Sequence, residues 1–287
     1  MKKFCIIANR EKDVDLSVTN QIMDVIKENN CSVVIAKQAA TNDHFTDVAT
    51  IPSDTDCVIV IGGDGTIINA AHDLLYTDIP IFGINLGTLG FLAEIELHSI
   101  KDAMLDLIRG EYIVEERLMF EAIYESLTNH KKDTSSYFAL NDVVVARSGF
   151  SRIICVGIYV NNSWVQDYRG DGVIISTPTG STGYNLSAGG PIVTPRSKAI
   201  IITPICPHSF NGRSIVVSSE DTVEIRIRES KKTQEEEVNV TIDGDMAVNL
   251  SANDKILIKK SNLTTKLIRF QHQSFFDLLR TKLREVN

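Results

Sequence analysis

The first hundred residues alternate short β-branched runs with longer stretches of helical spacing. Phe4 to Ala8, Ser32 to Ala36, Cys57 to Ile61 and Pro80 to Ile84 read as strands. Ile22, Met23 and Ile26, then Ile67, Ala70, Ala71, Leu74 and Leu75, then Ile100, Ala103, Met104, Leu107 and Ile108 recur at helical intervals, so each set gives a helix one apolar face. That alternation marks βαβ units on a parallel sheet.

After about Arg117 the pattern changes to closely spaced strands: Phe138 to Ala146, Ile153 to Val160, Val173 to Thr177, Ile200 to Pro204, Val223 to Ile227, Val238 to Ile242 and Ile256 to Ile258. Val223, Ile225 and Ile227 are separated by Glu224 and Arg226, the period-two pattern of a sheet covered on one face. Phe276, Leu279 and Leu283 then return to helical spacing within Phe275 to Arg284, with basic residues in the final turns. The expected fold is an α/β domain with a parallel sheet over 1–117, rejoined by a C-terminal helix within 262–287, and a second, mostly antiparallel all-β domain over 118–261.

A chain of 287 residues exceeds what one hydrophobic core usually supports, which agrees with two domains. With 43% apolar and 23% charged residues it has a globular composition, and its net charge of −8 argues against a surface built for nucleic acid. Lys231 and Lys232 run straight into Glu235, Glu236 and Glu237 and read as a solvated hairpin tip. Cys5, Cys31, Cys57, Cys155 and Cys206 are widely spaced, without metal-ligand spacing, as expected of buried thiols in a reducing cytoplasm. The apolar stretch after Met1-Lys2-Lys3 is too short for a signal sequence, and no segment reaches membrane-spanning length.

The strongest local signal is Ile59-Val60-Ile61 followed by Gly62-Gly63-Asp64-Gly65-Thr66 and an apolar helix: a strand, a glycine turn and a helix start. The glycines permit unusual backbone geometry and let main-chain N–H groups approach an anion, at a helix end that carries partial positive charge. A carboxylate among phosphates needs a task there, either holding a metal ion or accepting a proton from an attacking hydroxyl. A turn residue or N-cap is the plainer reading of Asp64. The loop from Gly83 to Phe91, including Asn85, follows the next strand and forms a second wall.

In the β-rich half, Arg169-Gly170-Asp171-Gly172 precedes a strand and the hydroxyl-rich run from Ser176 to Ser187. Its Ser, Thr and Gly residues can bond phosphates or the polar edges of a base, and Tyr184 offers a stacking face. Asn141 and Asp142 lie in an otherwise apolar strand and need polar partners, such as a ligand's ribose hydroxyls. His208 reads as a packing or interface residue, and Trp164 as a strand residue facing its partner.

These blocks together resemble the NAD kinase family: GGDGT at Gly62 to Thr66, GINLGTLGFL at Gly83 to Leu92, LNDVVV at Leu140 to Val145, and RGDGVIISTPTGSTGYNLSAGGPIV at Arg169 to Val193. GGDGT alone also resembles diacylglycerol-type lipid kinases, and a nucleotide sensor without turnover is a further alternative. The resemblance implies phosphoryl transfer from ATP or another donor to the adenosine ribose 2′-hydroxyl of NAD, with Mg2+ or Mn2+ carried on the donor's phosphates. It implies that Asp64 is the catalytic carboxylate with Gly65 beside it, and that Gly62, Gly63, Gly65 and Thr66 hold phosphates. It further implies that Asn141, Asp142, Arg169, Asp171, Thr182, Gly183, Tyr184, Asn185 and Ser187 bind NAD, with Asn85, Phe91 and Asp245 as additional contacts. A cytoplasmic homodimer or homotetramer would follow. Asp142 stands where the family often has Glu, Gly183 where Ala is common, and Asp245 where Gln is frequent.

Overall fold

The structure, a computed structural model of the chain, describes residues 1–40, 44–87, 90–126, 133–148, 153–208, 212–228, 238–251, 254–270 and 274–284. The acidic and basic hairpin tip expected at Lys231 to Glu237, and Thr88 and Leu89 of the second glycine loop, lie outside these. The chain divides into two compact units, Met1–Glu116 with Thr265–Asn287, and Arg117–Thr264. No helix among the described residues is long and apolar enough to cross a membrane.

In the first unit, β1 (Lys3–Ala8), β2 (Ser32–Ile35), β3 (Cys57–Gly62) and β4 (Ile81–Asn85) form a parallel sheet in the order β2-β1-β3-β4. Leu267, near the end of β16 (Lys255–Arg269), pairs in parallel with Ile81. The β3 run CVIVIG is buried throughout, as a central strand covered on both faces must be. Helices α1 (Ser17–Glu28), α2 (Asp64–Asp73) and α3 (Ile100–Arg109) bury the apolar faces read from the sequence, with Ile22, Ile26, Ile67, Ala70, Met104 and Leu107 inside. The order places β1 beside β3 with their following segments leading to opposite sides, a switch point where α/β sheets open a crevice beyond the strands' carboxyl ends.

The last helix, α5 (Phe275–Arg284), forms where expected, but its buried stripe is displaced. Phe275 and Leu278 turn inward while Phe276 is exposed, because the Phe275 ring packs 6.1 Å from that of Phe91.

In the second unit, β7 (Asp142–Arg147), β10 (Gly172–Ser176), β11 (Ala199–Ile205), β12 (Ile215–Ser218), β14 (Val238–Ile242) and β15 (Asp245–Leu250) form an antiparallel sheet in the order β12-β11-β10-β7-β14-β15. A second antiparallel set joins β8 (Ile154–Val160), β9 (Ser163–Gly170), β13 (Val223–Arg228) and the early part of β16. Inward residues of both, among them Val143, Val173, Ile202, Val156, Ile225 and Ile256, share one core. Each such buried aliphatic side chain contributes roughly 1.5–3 kcal/mol.

The sequence pattern did not disclose β5 (Ile113–Ser126), whose alternation is diluted by half-buried charged positions, or its hairpin partner β6 (Asp133–Ala139). It also ran β6 and β7 together as one strand from Phe138 to Ala146. The chain breaks between them at Leu140 and Asn141, because the Asp243 carboxylate takes the amides of Leu140, Asn141 and Asp142 at 2.7, 2.7 and 2.9 Å. A side chain there replaces a strand neighbour. Cys5, Cys57 and Cys155 are buried as expected, but Cys206 is exposed, at the left-handed φ of 44°. His208 is exposed, with its main-chain N–H donating to the Arg169 carbonyl at 2.8 Å, so its side chain is not packed in the core. Trp164 pairs with Tyr159 across the β8–β9 ladder and is exposed.

Candidate active site

At the end of β3 the chain turns through Gly62 and Gly63 into α2, and Asp64 is that helix's first residue. None of Gly62, Gly63 and Gly65 adopts a positive φ, so conformational freedom is not why glycine stands there. Close approach is the reason at Gly62: a Cβ would come within 2.4 Å of the Thr66 hydroxyl. That hydroxyl accepts from the Gly63 amide at 3.4 Å and from the Asn9 side-chain amide at 3.1 Å, which fastens the segment after β1 onto the start of α2. The first-turn amides of α2 have no intrahelical acceptors and face partial positive charge outward.

The Asp64 carboxylate does not project freely. It accepts hydrogen bonds from the main-chain amides of Phe91 (2.8 Å, to Oδ2), Leu92 (3.1 Å, to Oδ1) and Ala93 (3.4 Å, to Oδ1). The carboxylate rests against Gly90, where a Cβ would lie 1.9 Å from Oδ1. The 93–95 segment is itself held along β4, with Glu94 N–H donating to Gly83 O at 2.9 Å and Asn85 N–H to Ile95 O at 2.9 Å. Gly83 leaves room for it, since a Cβ there would meet Ala93 Cα at 3.1 Å. Asp64 borders a cavity of about 760 Å³ that is also lined by Asn9, Lys12, Gly63, Gly65 and Lys282. Its walls come from the segments after β1 and β3, at the switch point of the sheet. The Lys12 ammonium lies 2.9 Å from where a Gly63 Cβ would be, over the start of α2.

Asn85 is buried and donates to Gly87 O at 2.6 Å, and Phe91 is half-buried against Phe275. Neither borders this cavity.

In the second unit, Asp142 opens β7, buried, with Asn141 half-buried in the strand break before it. Burial, and then repulsion from Asp243, push the Asp142 carboxyl up to about 7. Tyr184 is exposed, and its hydroxyl is raised above the usual phenol range by partial burial and by Cys206, Asp171 and Asp142, which groups these side chains together. Asp171 is also ion-paired with Arg147 at 2.7 Å, whereas Arg169 points to solvent from β9.

The hydroxyl-rich run divides in two. Thr177 donates to Leu140 O at 2.6 Å, Ser181 to Pro178 O at 2.7 Å, and Ser176 to Thr177 O at 2.9 Å, all buried. Asn185 is fully buried, donating to Ser181 O and Pro191 O at 3.1 Å and accepting from the Thr203 hydroxyl at 2.7 Å. These groups stitch the loop to the sheet. Gly183, Tyr184 and Ser187 face outward and Thr182 is half-buried, around α4 (Tyr184–Ser187). Asp245 is exposed beside a tight turn in which Asp243 and Gly244 have φ of 52° and 97°, the geometry of a type I′ hairpin.

Sequence reading missed Asn9, Lys12 and the amide-gathering part of Asp243. Asn9 and Lys12 carry no local motif, and the partners of Asp64 are remote in sequence. Among the described residues no three His, Cys, Asp or Glu side chains gather as a cation site.

Residues 4–112 match the ATP-NAD kinase N-terminal domain and residues 140–270 the ATP-NAD kinase C-terminal domain. The chain is 58% identical over 286 residues to a NAD kinase of Lachnoclostridium phytofermentans, covering 98% of this chain and 99% of that one. Its structure is similar to an Archaeoglobus fulgidus NAD kinase solved in complex with ATP, at 26% identity and TM-score 0.77, covering 99% of this chain and 100% of that one. A yeast NADH kinase complexed with NADH shares the fold at 23% identity and TM-score 0.76, covering 93% of this chain and 83% of that one.

Proposed function

Because the chain belongs to the NAD kinase family, we propose that Asp64 is the carboxylate that receives the proton of the attacking ribose 2′-hydroxyl. The protein transfers a phosphoryl group from ATP to NAD, giving NADP; the lipid-kinase and sensor alternatives fall with the family assignment. The observation that carries the role of Asp64 is its carboxylate, fixed by three main-chain amides at the edge of the cavity.

In the transfer, the 2′-oxygen bonds to the terminal phosphorus of ATP, the bond from that phosphorus to the bridging oxygen breaks, and ADP leaves. The hydroxyl proton passes to Asp64. Oδ1 already accepts two amides and Oδ2 one, so Oδ2 keeps the lone pair for that proton. The donor's phosphates lie on the first-turn amides at Gly63 to Thr66, with Lys12 supplying countercharge. A divalent ion bound with those phosphates would neutralise further charge, and Asp64 is the carboxylate at hand. Positioning of hydroxyl and phosphorus supplies most of the acceleration, and a general base adds about 10²–10⁴-fold.

In the second unit, Asn141, Asp142, Thr182, Tyr184 and Ser187 contribute to holding NAD, with Asp171 nearby. Asn185 supports the loop that carries them. We further propose a cytoplasmic homodimer or homotetramer; light scattering of the purified protein showing a monomer would exclude the oligomer. Asp64→Asn is the direct test of the mechanism: kcat for NADP formation should fall at least about 10²-fold while NAD binding by calorimetry persists. Wild-type turnover in that variant would refute the assignment.

A further inference from the structure

The peptide segment that fixes Asp64 is gripped from its other side. Arg269, near the end of β16, donates from Nη2 to Phe91 O at 2.9 Å and from Nη1 to Ala93 O at 3.3 Å. The same guanidinium pairs with Glu94 at 2.7 Å, and its Nε lies 3.7 Å from Glu115. Glu94 in turn accepts from Phe270 N–H at 2.6 Å, so guanidinium and carboxylate lock each other. The pair is nearly removed from water, with side-chain exposures of 13% for Arg269 and 4% for Glu94.

The peptide group joining Phe91 to Leu92 therefore lies between opposite charges, its carbonyl on Arg269 and its N–H on Asp64. Hydrogen bonds in such a chain polarise one another in a low-dielectric interior. A planar fork that spans two carbonyls and a carboxylate is what arginine provides and lysine does not.

We infer that Arg269 is a positioning residue for phosphoryl transfer, setting the Phe91–Ala93 amides that aim the Asp64 carboxylate. The inference rests on the role of Asp64 proposed above. A bare structural anchor would show itself in stability alone, so the test separates turnover from folding.

Arg269→Lys keeps the charge and loses the fork. The double variant Glu94→Gln with Arg269→Gln removes both charges together, so that the Glu94 carboxylate is not left without its countercharge. Both should lose about tenfold or more in kcat per folded molecule, with KM for NAD and for ATP changed less than about threefold. Placed in an Asp64→Asn background, Arg269→Lys should add less than about a twofold loss, because the two act through one element. A kcat per folded molecule within about twofold of wild type, a loss confined to KM, or a full multiplicative loss in the Asp64→Asn background overturns the inference. Undiminished turnover in Asp64→Asn alone sinks the parent reading instead, so the two failures are distinguishable.

Discussion

Replacing Gly90 by alanine puts a methyl carbon where the Asp64 carboxylate lies. The added carbon would sit 1.9 Å from Oδ1, 2.2 Å from Cγ and 2.3 Å from Oδ2, against an ordinary contact of about 3.5 Å. The carboxylate must retreat by roughly 1.5 Å, and its amide bonds to Phe91, Leu92 and Ala93 lengthen or break. Hydrogen bonds to a charged acceptor contribute about 1.5–3 kcal/mol each, and a reacting group misplaced by about 1 Å costs on the order of 10²-fold in rate. The three atoms nearest that carbon all belong to the Asp64 side chain, so the damage stays local. The expected result is a fall in kcat of about 10²-fold, with stability reduced by about 1.5–3 kcal/mol for each amide bond that breaks. Initial rates of NADP formation, read through a coupled dehydrogenase, measure the first, and urea unfolding the second. Gly90→Ala protein that is folded and turns over within about threefold of wild type would refute the reasoning, because Asp64 would then be working from another position.

Lys12→Ala, on an exposed side chain over the start of α2, should raise the KM for ATP about tenfold or more and leave that for NAD nearly unchanged, with Arg restoring most of the loss; equal effects on both substrates would contradict the donor assignment. Asp142→Asn tests the buried carboxyl. Its folded value near 7 lies above the ordinary 3.8, so the stability it lends is complete below about pH 4 and is lost as pH rises through about 7. The variant should therefore gain on wild type across that interval and hold a constant advantage above it, of at most on the order of 4 kcal/mol. Urea midpoints compared across the interval check this, and a difference independent of pH would refute it.

The glycine turn was legible because strand, glycines, Asp64 and helix are contiguous, and local order is what sequence pattern reports. The grip on Asp64 was not, since its amide partners are 27 to 29 residues away and Arg269 is 176 to 178 residues beyond their carbonyls. Parallel strands announced themselves as buried runs, whereas β5 hid behind half-buried Glu positions, of which Glu121 and Glu125 pair with Lys259 and Lys255 of β16. The hydroxyl-rich loop showed its composition but not its direction. Ser181 and Asn185 look as suited to a ligand as Thr182 and Ser187 do, and only the fold decides which of them turn inward.

The gathering of Leu140, Asn141 and Asp142 by Asp243 has a bearing on how the protein is born. A ribosome delivers those amides about a hundred residues before the carboxylate that collects them, and it delivers Phe91 long before Arg269. The Leu140–Asp142 segment cannot set before Asp243 is made, nor the Phe91–Ala93 segment before Arg269 is made. Nascent chains must hold these segments unsettled until those late residues emerge, and a truncation before Asp243 leaves both without their fasteners.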